Sequence, residues 1–140
     1  MTDKVSSEKR TQIMKQIKSK KTRLENKIVS DLWRSGFRFR RNVNSLLGKP
    51  DISIKKYKVA IFIDSCFWHG CPQHCRMPES NKSYWQNKIK RNKERDKKVS
   101  AYYIEKRWNL LRIWEHDIKN DYKKSINVIS EFIENAKKSK

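Results

Sequence analysis

Gly48-Lys49-Pro50-Asp51-Ile52-Ser53-Ile54-Lys55-Lys56-Tyr57-Lys58-Val59-Ala60-Ile61-Phe62-Ile63-Asp64 is the stretch whose pattern sets the fold. After Gly48-Lys49-Pro50, the segment Asp51-Ile52-Ser53-Ile54 reads as a short strand. Lys55-Lys56 reads as a turn. From Lys58 to Ile63 the chain reads as a strand, apolar from Val59 onward, as expected of a strand covered on both faces. A strand covered twice needs a layer of structure on each side, which points to an α/β arrangement.

The neighbouring segments fill in those layers. Upstream, Phe37-Arg38-Phe39-Arg40 alternates and predicts another strand. Before it, Thr22-Arg23-Leu24-Glu25 has the form of a capping box. It would open a helix carrying Leu24, Ile28 and Leu32 at spacing four, ended by Gly36. Ser7 to Lys18 predicts a short helix with Ile13, Met14 and Ile17 on one side. That apolar face is thin and the segment is strongly basic, so residues 1–20 read as an arm that orders on a partner. Downstream of Asp64, a loop spans roughly Ser65 to Ser80. A long helix follows from Lys82 to about Lys106, with Trp85, Ile89, Val99 and Tyr103 pointing inward. Leu110-Leu111-Arg112-Ile113-Trp114 predicts a second buried strand. Asp121 or a neighbour starts a last helix with Ile126, Ile129, Phe132 and Ile133 on its inner face. The order α-β-β-β-α-β-α predicts one mixed sheet flanked by helices. With no repeat and no Pro/Gly/Ser-rich linker, residues 21–140 form a single domain behind the arm.

Charge narrows the partner. The 140 residues carry 35 Lys and Arg against 15 Asp and Glu, a net charge of +20. Basic side chains displace condensed counterions from phosphate, so nucleic acid is the first candidate partner. A merely basic surface and an acidic membrane surface are the rivals, and no lipidation signal or amphipathic anchor favours the membrane. Val59 to Ile63 is far too short to span a bilayer. Met1 to Ser6 lacks the apolar core of a secretory signal.

Two clusters carry candidate chemistry. Cys66, His69, Cys71, His74 and Cys75 place five soft or borderline ligands in one loop, with His116 after the later strand. Clustered cysteines of odd number, without a signal peptide, argue for metal or free thiols over disulfides. Structural zinc takes four such ligands, though buried cysteines and satisfied histidines are the plain alternative. The second cluster is acidic. Asp51 begins one strand and Asp64 ends the next, so two carboxylates meet at neighbouring strand ends as a hard-oxygen site for Mg²⁺. A metal there would activate water and stabilise charge developing at phosphorus. Glu25 could join from the first helix, although the capping box also explains it. Asp51 has its own alternative as a turn aspartate. His69, five residues past Asp64, could act as general base or hold a metal-bound water.

These residues resemble a known family. Gly48-Lys49-Pro50-Asp51, then Phe62-Ile63-Asp64-Ser65-Cys66-Phe67-Trp68-His69-Gly70-Cys71-Pro72, is similar to the signature of the very-short-patch-repair (Vsr) mismatch endonucleases. Tyr84-Trp85, Lys88-Ile89, Asn92, Arg95-Asp96 and Arg112-Ile113-Trp114-Glu115 extend the likeness over residues 8 to 133. The resemblance implies a restriction-endonuclease-like fold, a variant of the PD-(D/E)xK type, with one structural zinc. It implies nicking of double-stranded DNA 5′ to the T of a T·G mismatch left by deamination of 5-methylcytosine, which initiates very short patch repair. By the same resemblance, two Mg²⁺ ions sit at Asp51, with Asp64 and His69 contributing through metal-bound water. Glu25 and Asp96 complete the catalytic set. For zinc, Cys66, Cys71 and His116 are joined by His74, or alternatively by Cys75. The usual Glu-x-Lys of the restriction motif is replaced here by Phe62 and Asp64, and Ser65 stands where glycine is usual.

The likeness also bears on DNA reading. Phe67, Trp68 and Trp85 would form a wedge beside the mismatch, where unstacking costs least. A plug in the loop is the alternative for the first two, and a core position for Trp85. Met14 would insert from the minor-groove side, while Lys15, Lys18, Lys20, Lys21 and Arg23 contact phosphates. The Lys88 to Lys98 run suits a solvated face or a backbone contact. The expected protein is a monomeric, cytoplasmic, nucleoid-associated enzyme with no membrane partner, and other mismatch-repair proteins are candidate contacts. The alternatives are a site-specific or damage-directed nickase on the same scaffold, and a non-catalytic zinc-stabilised DNA-binding module.

Overall fold

Residues 7–65 and 82–138 are described by the computed structural model, without the side chains of residues 7–10, 13, 14 and 16–21. The elements run α1 (Ser7–Arg34), β1 (Arg40–Arg41), β2 (Ile52–Ile54), a 3-10 turn (Lys55–Tyr57), β3 (Val59–Asp64), α2 (Lys82–Glu105), β4 (Asn109–Trp114), α3 (Glu115–Asn120) and α4 (Tyr122–Lys138). The described strands form one mixed sheet in the order β1-β2-β3-β4. β2 pairs antiparallel with β3, and β3 pairs parallel with β4 from Val59↔Asn109 to Asp64↔Trp114.

Every residue of β3 is buried. Its alternate side chains enter two different cores, because successive strand residues point to opposite faces. Val59, Ile61 and Ile63 pack with Ile28 and Leu32 of α1, Ile118 of α3, and Ile129 and Ile133 of α4. Ala60 and Phe62 pack with Val99 and Tyr103 of α2. The helices therefore lie on both faces of the sheet, as the continuous apolar run predicts. All four inward residues expected of α2 are buried: Trp85, Ile89, Val99 and Tyr103. On α4, Ile129 and Ile133 are fully buried and Ile126 and Phe132 pack partly against the same core.

Several local expectations are corrected. α1 is continuous from Ser7 to Arg34, so Thr22 does not begin a helix and there is no capping box. A cap works on the free N–H groups of a first turn, and Thr22 stands in mid-helix. The stretch 7–34 contains neither Gly nor Pro, so nothing in it stops the helix. Gly36, at φ 101°, does end it, with the Phe37 N–H donating to Leu32 O. The Phe37 to Arg40 strand shrinks to Arg40–Arg41. Phe37 is drawn into the core, and Phe39 packs edge-on against Trp33. β4 is half-buried along its length, because it is the edge of the sheet among the described residues. The short helix α3, which buries Ile118, was not expected. Asp121 does open α4, since its Oδ1 accepts the Lys124 N–H at 3.1 Å.

Candidate active site

Antiparallel pairing brings the entry of β2 and the exit of β3 to the same end of the sheet. Asp51 lies just before β2 and Asp64 closes β3, so both carboxylates stand at that end. Both line a cleft of about 770 Å³ walled by the loop Asn44–Lys49, the sheet and α2. Asp51 is 9% exposed and Asp64 6%. The Ile63 N–H donates to Asp51 Oδ2 at 2.6 Å, which holds this side chain to the neighbouring strand. That bond is long-range, so Asp51 is more than a turn aspartate.

Asp64 is held by Arg112 of β4, whose Nη1 lies 2.8 Å from Asp64 Oδ1. Arg112 Nε donates to Ser100 Oγ of α2 at 2.7 Å, and Nη2 lies 3.9 Å from Asp96 Oδ1. The guanidinium also covers the Phe62 ring at 4.2 Å. Asp96 thus joins Asp51 and Asp64 in the cleft. The sequence alone assigns Arg112 no role. Its signal was a cation in the middle of the apolar strand Leu110 to Trp114, where a charge needs a buried partner.

The cleft loop is held in an unusual conformation. Gly48 (φ 74°) and Lys49 (φ 53°) both adopt left-handed backbone. A Cβ at Gly48 would lie 2.7 Å from Val99 Cγ1. Tyr103 OH donates to Leu47 O at 2.5 Å and ties the loop to α2. Burial, and secondarily the neighbouring Tyr102, push the Tyr103 phenol above its ordinary pKa. Exposed Lys49 and Arg95 also line the cleft and place positive charge at its rim.

The other expected residues are distributed as follows. Glu25 is buried on the α1 face that carries Ile28 and Leu32, and it does not line this cleft. With α1 continuous, capping no longer accounts for it. His116 lies in the first turn of α3, stacked on Trp114 with centroids 6.1 Å apart, its Nε2 3.2 Å from Asp117 Oδ1. The register Asp64↔Trp114 puts it at the sheet end where the chain leaves β3. Trp85 is fully buried, with Tyr84 edge-on at 4.9 Å. Lys15 and Arg23 are exposed on α1. Cys66, Phe67, Trp68, His69, Cys71, His74 and Cys75 lie outside the described residues, as do the side chains of Met14, Lys18, Lys20 and Lys21. Among the described residues, no three His, Cys, Asp or Glu side chains are grouped closely enough to hold a metal ion. Asp51 and Asp64 nevertheless suit Mg²⁺, which commonly takes one or two protein carboxylates and completes its shell with water and substrate phosphate.

A twice-covered mixed sheet, with paired strand-end carboxylates in a cleft and a net charge of +20, has the features of an α/β nuclease. Comparison with known proteins takes this further. The family model for DNA mismatch endonuclease Vsr matches residues 2–77. The type II nicking enzyme V.HpaIIP of Haemophilus parainfluenzae is 43% identical over 130 residues, covering 90% of this chain and 92% of the relative. The type II nicking enzyme V.NmeDIP of Neisseria meningitidis serogroup C is 41% identical over 118 residues, 83% of this chain and 80% of the relative. The DNA mismatch endonuclease Vsr of Escherichia coli (strain K12) is 31% identical over 137 residues, 96% of this chain and 86% of the relative. The chain belongs to the Vsr family of DNA mismatch endonucleases. No helix among its described residues is long and apolar enough to cross a membrane.

Proposed function

We propose that the protein nicks double-stranded DNA 5′ to the T of a T·G mismatch and so initiates very short patch repair. The carrying observation is the pair of buried carboxylates, Asp51 and Asp64, in one cleft of a chain with net charge +20. Carboxylates repel phosphate, so a pure DNA-binding module would gain nothing from them there. A nuclease that uses Mg²⁺ gains a cation site. The mismatch specificity is supported by the family and by the name of the E. coli relative.

In this reading Asp51 holds Mg²⁺, with room for two ions in the cleft, and its bond from the Ile63 N–H fixes the oxygen orientation. Bound Mg²⁺ would lower the pKa of water and neutralise charge developing on the phosphate. Asp64 and His69 orient the attacking water, and His69 accepts its proton. Glu25 and Asp96 support the set. Exposed Lys49 and Arg95 contact the phosphates flanking the cut. The arrangement is a PD-(D/E)xK variant in which Phe62 and Asp64 replace the Glu-x-Lys pair. One structural zinc is held by Cys66, Cys71, His116 and either His74 or Cys75. Sulfur and imidazole donors suit that ion, and His116 sits beside the point where the cysteine segment leaves β3.

Phe67 and Trp68 form the wedge beside the mispair, and Met14 inserts from the arm formed by residues 1–20. Because α1 is one helix, Ile28 and Leu32 anchor that arm in the core. The protein acts as a monomer on cytoplasmic, nucleoid-associated DNA, in contact with other mismatch-repair proteins. A second reading, a site-specific or damage-directed nickase, is favoured by the relatives named type II nicking enzymes.

Duplexes that differ only in one T·G or T·A pair separate these readings. Nicking confined to the T·G duplex is expected. Equal cutting of both would sink the mismatch specificity and leave the nickase. Asp51→Ala should lower the rate about a thousandfold or more, the loss of several kcal/mol of transition-state stabilisation, with DNA binding retained.

A further inference from the structure

We propose that Arg112 is a positioning residue, which acts on strand cleavage by fixing the carboxylate of Asp64. The inference rests on the reading of this cleft as the active site. It does not depend on which base pair directs the cut.

The geometry is specific. All three guanidinium nitrogens face protein acceptors drawn from two elements: Asp64 Oδ1 of β3 at 2.8 Å, and Ser100 Oγ and Asp96 Oδ1 of α2 at 2.7 and 3.9 Å. Phe62 stacks beneath the guanidinium at 4.2 Å. The Arg112 side chain is 19% exposed and that of Asp64 8%. A guanidinium with its donors turned inward is poorly set to clamp a phosphate. The exposed Lys49 and Arg95 at the rim are better placed for that.

An unrestrained aspartate samples a broad terminal torsion. Asp64 closes β3 at the cleft, so the direction of its carboxylate plane sets what its oxygens can reach. A planar donor fork anchored at Ser100 and stacked on Phe62 admits one orientation of the carboxylate plane. Misplacement of a reacting group by about 1 Å can cost a hundredfold in rate. The fork also offsets one of the cleft's negative charges without occupying Asp51. Asp51 accepts a backbone N–H, and Asp64 accepts from the Arg112 guanidinium. Lysine does not reproduce the fork, because its single nitrogen lacks the planar, spaced donors with which the guanidinium reaches Ser100 and Asp64.

A double-mutant cycle tests this on whichever duplex the wild-type protein cuts, with kcat and KM measured separately. Arg112→Gln and Arg112→Lys should each lower kcat about 10–100-fold with KM for DNA nearly unchanged. Asp64→Asn should also lower kcat. The double variant Asp64→Asn/Arg112→Gln should be no slower than the slower single variant, because Arg112 acts through Asp64. Independent, multiplying losses would overturn the inference, as would wild-type kcat in either Arg112 variant. Should both Arg112 variants fail to fold, Ser100→Ala removes only the acceptor at Nε. It should lower kcat several-fold in the wild-type background and have no effect beside Asp64→Asn, and an unchanged kcat in Ser100→Ala overturns the inference. Wild-type cutting by both Asp51→Ala and Asp64→Asn would remove the cleft reading itself. Impaired Asp64→Asn with an additive cycle removes only the role of Arg112.

Discussion

Single residues decide the shape of the cleft. Gly48 is required there for two independent reasons, a backbone at φ 74° and a Val99 methyl that would lie 2.7 Å from an added Cβ. Gly48→Ala is expected to cost about 1–3 kcal/mol and to displace the loop that carries Leu47 and Lys49. A thermal melt should show the destabilisation, and nicking activity should fall further than the melt accounts for at the assay temperature. Unchanged stability and activity would mean that the loop accommodates a side chain. At the same scale, Asp51 and Asp64 were legible from their positions at strand ends. Arg112 was visible as a cation in an apolar strand, but its partners were not. Asp64, Asp96 and Ser100 are 48, 16 and 12 residues away in sequence, and only folding brings them to it.

At the scale of elements, β3 is the joint between two cores, and its periodicity was readable because both faces are apolar. Ile61 is fully exposed to neither solvent nor cleft, being buried among α1, α3 and α4. Ile61→Ala should lower stability by about 2–5 kcal/mol in denaturant unfolding, without a specific effect on the folded protein's metal dependence. α1 and α4 are joined by the hydrogen bond that Tyr122 OH donates to Asp31 Oδ2. Burial first, then that bond and the Asp31 charge, raise the Tyr122 phenol well above its ordinary value of 10.0. A raised folded pKa means the folded protein holds the proton more tightly than the unfolded chain. The resulting stability is complete below pH 10 and is lost as pH rises beyond it. Melting temperature should therefore fall more steeply above about pH 10 in the wild type than in Tyr122→Phe. Parallel declines would show that this tyrosine does not contribute. The capping pattern at Thr22 predicts a helix start that the continuous α1 does not have. Ser, Thr and Glu at capping spacing also occur in helix interiors, and only the surrounding hydrogen bonds distinguish the two cases.

The whole molecule is organised around charge. A net charge of +20 should make DNA affinity fall steeply with salt, by about a thousandfold between 50 and 200 mM if six or more phosphates are contacted. Fluorescence anisotropy on a cleavage-inactive Asp51→Ala protein measures this, and a flat salt response would deny the electrostatic footprint. Metal analysis of the purified chain is expected to give one zinc, and Cys66→Ala to lower both zinc content and melting temperature. The properties legible without coordinates are those that follow from local order and composition. These are the α/β class, a strand covered on both faces, the inner face of α2, a polyanionic partner, and the likeness to Vsr endonucleases around Cys66-Phe67-Trp68-His69. Periodicity and charge are local or additive, so they survive without coordinates. Folding alone shows that β4 is the edge among the described strands, that Trp85 and Glu25 are buried, and that Arg112 grips Asp64. Each of these depends on which distant segment packs against which. Strand order and side-chain partners are set by the global burial of two apolar faces, a condition that no window of sequence contains.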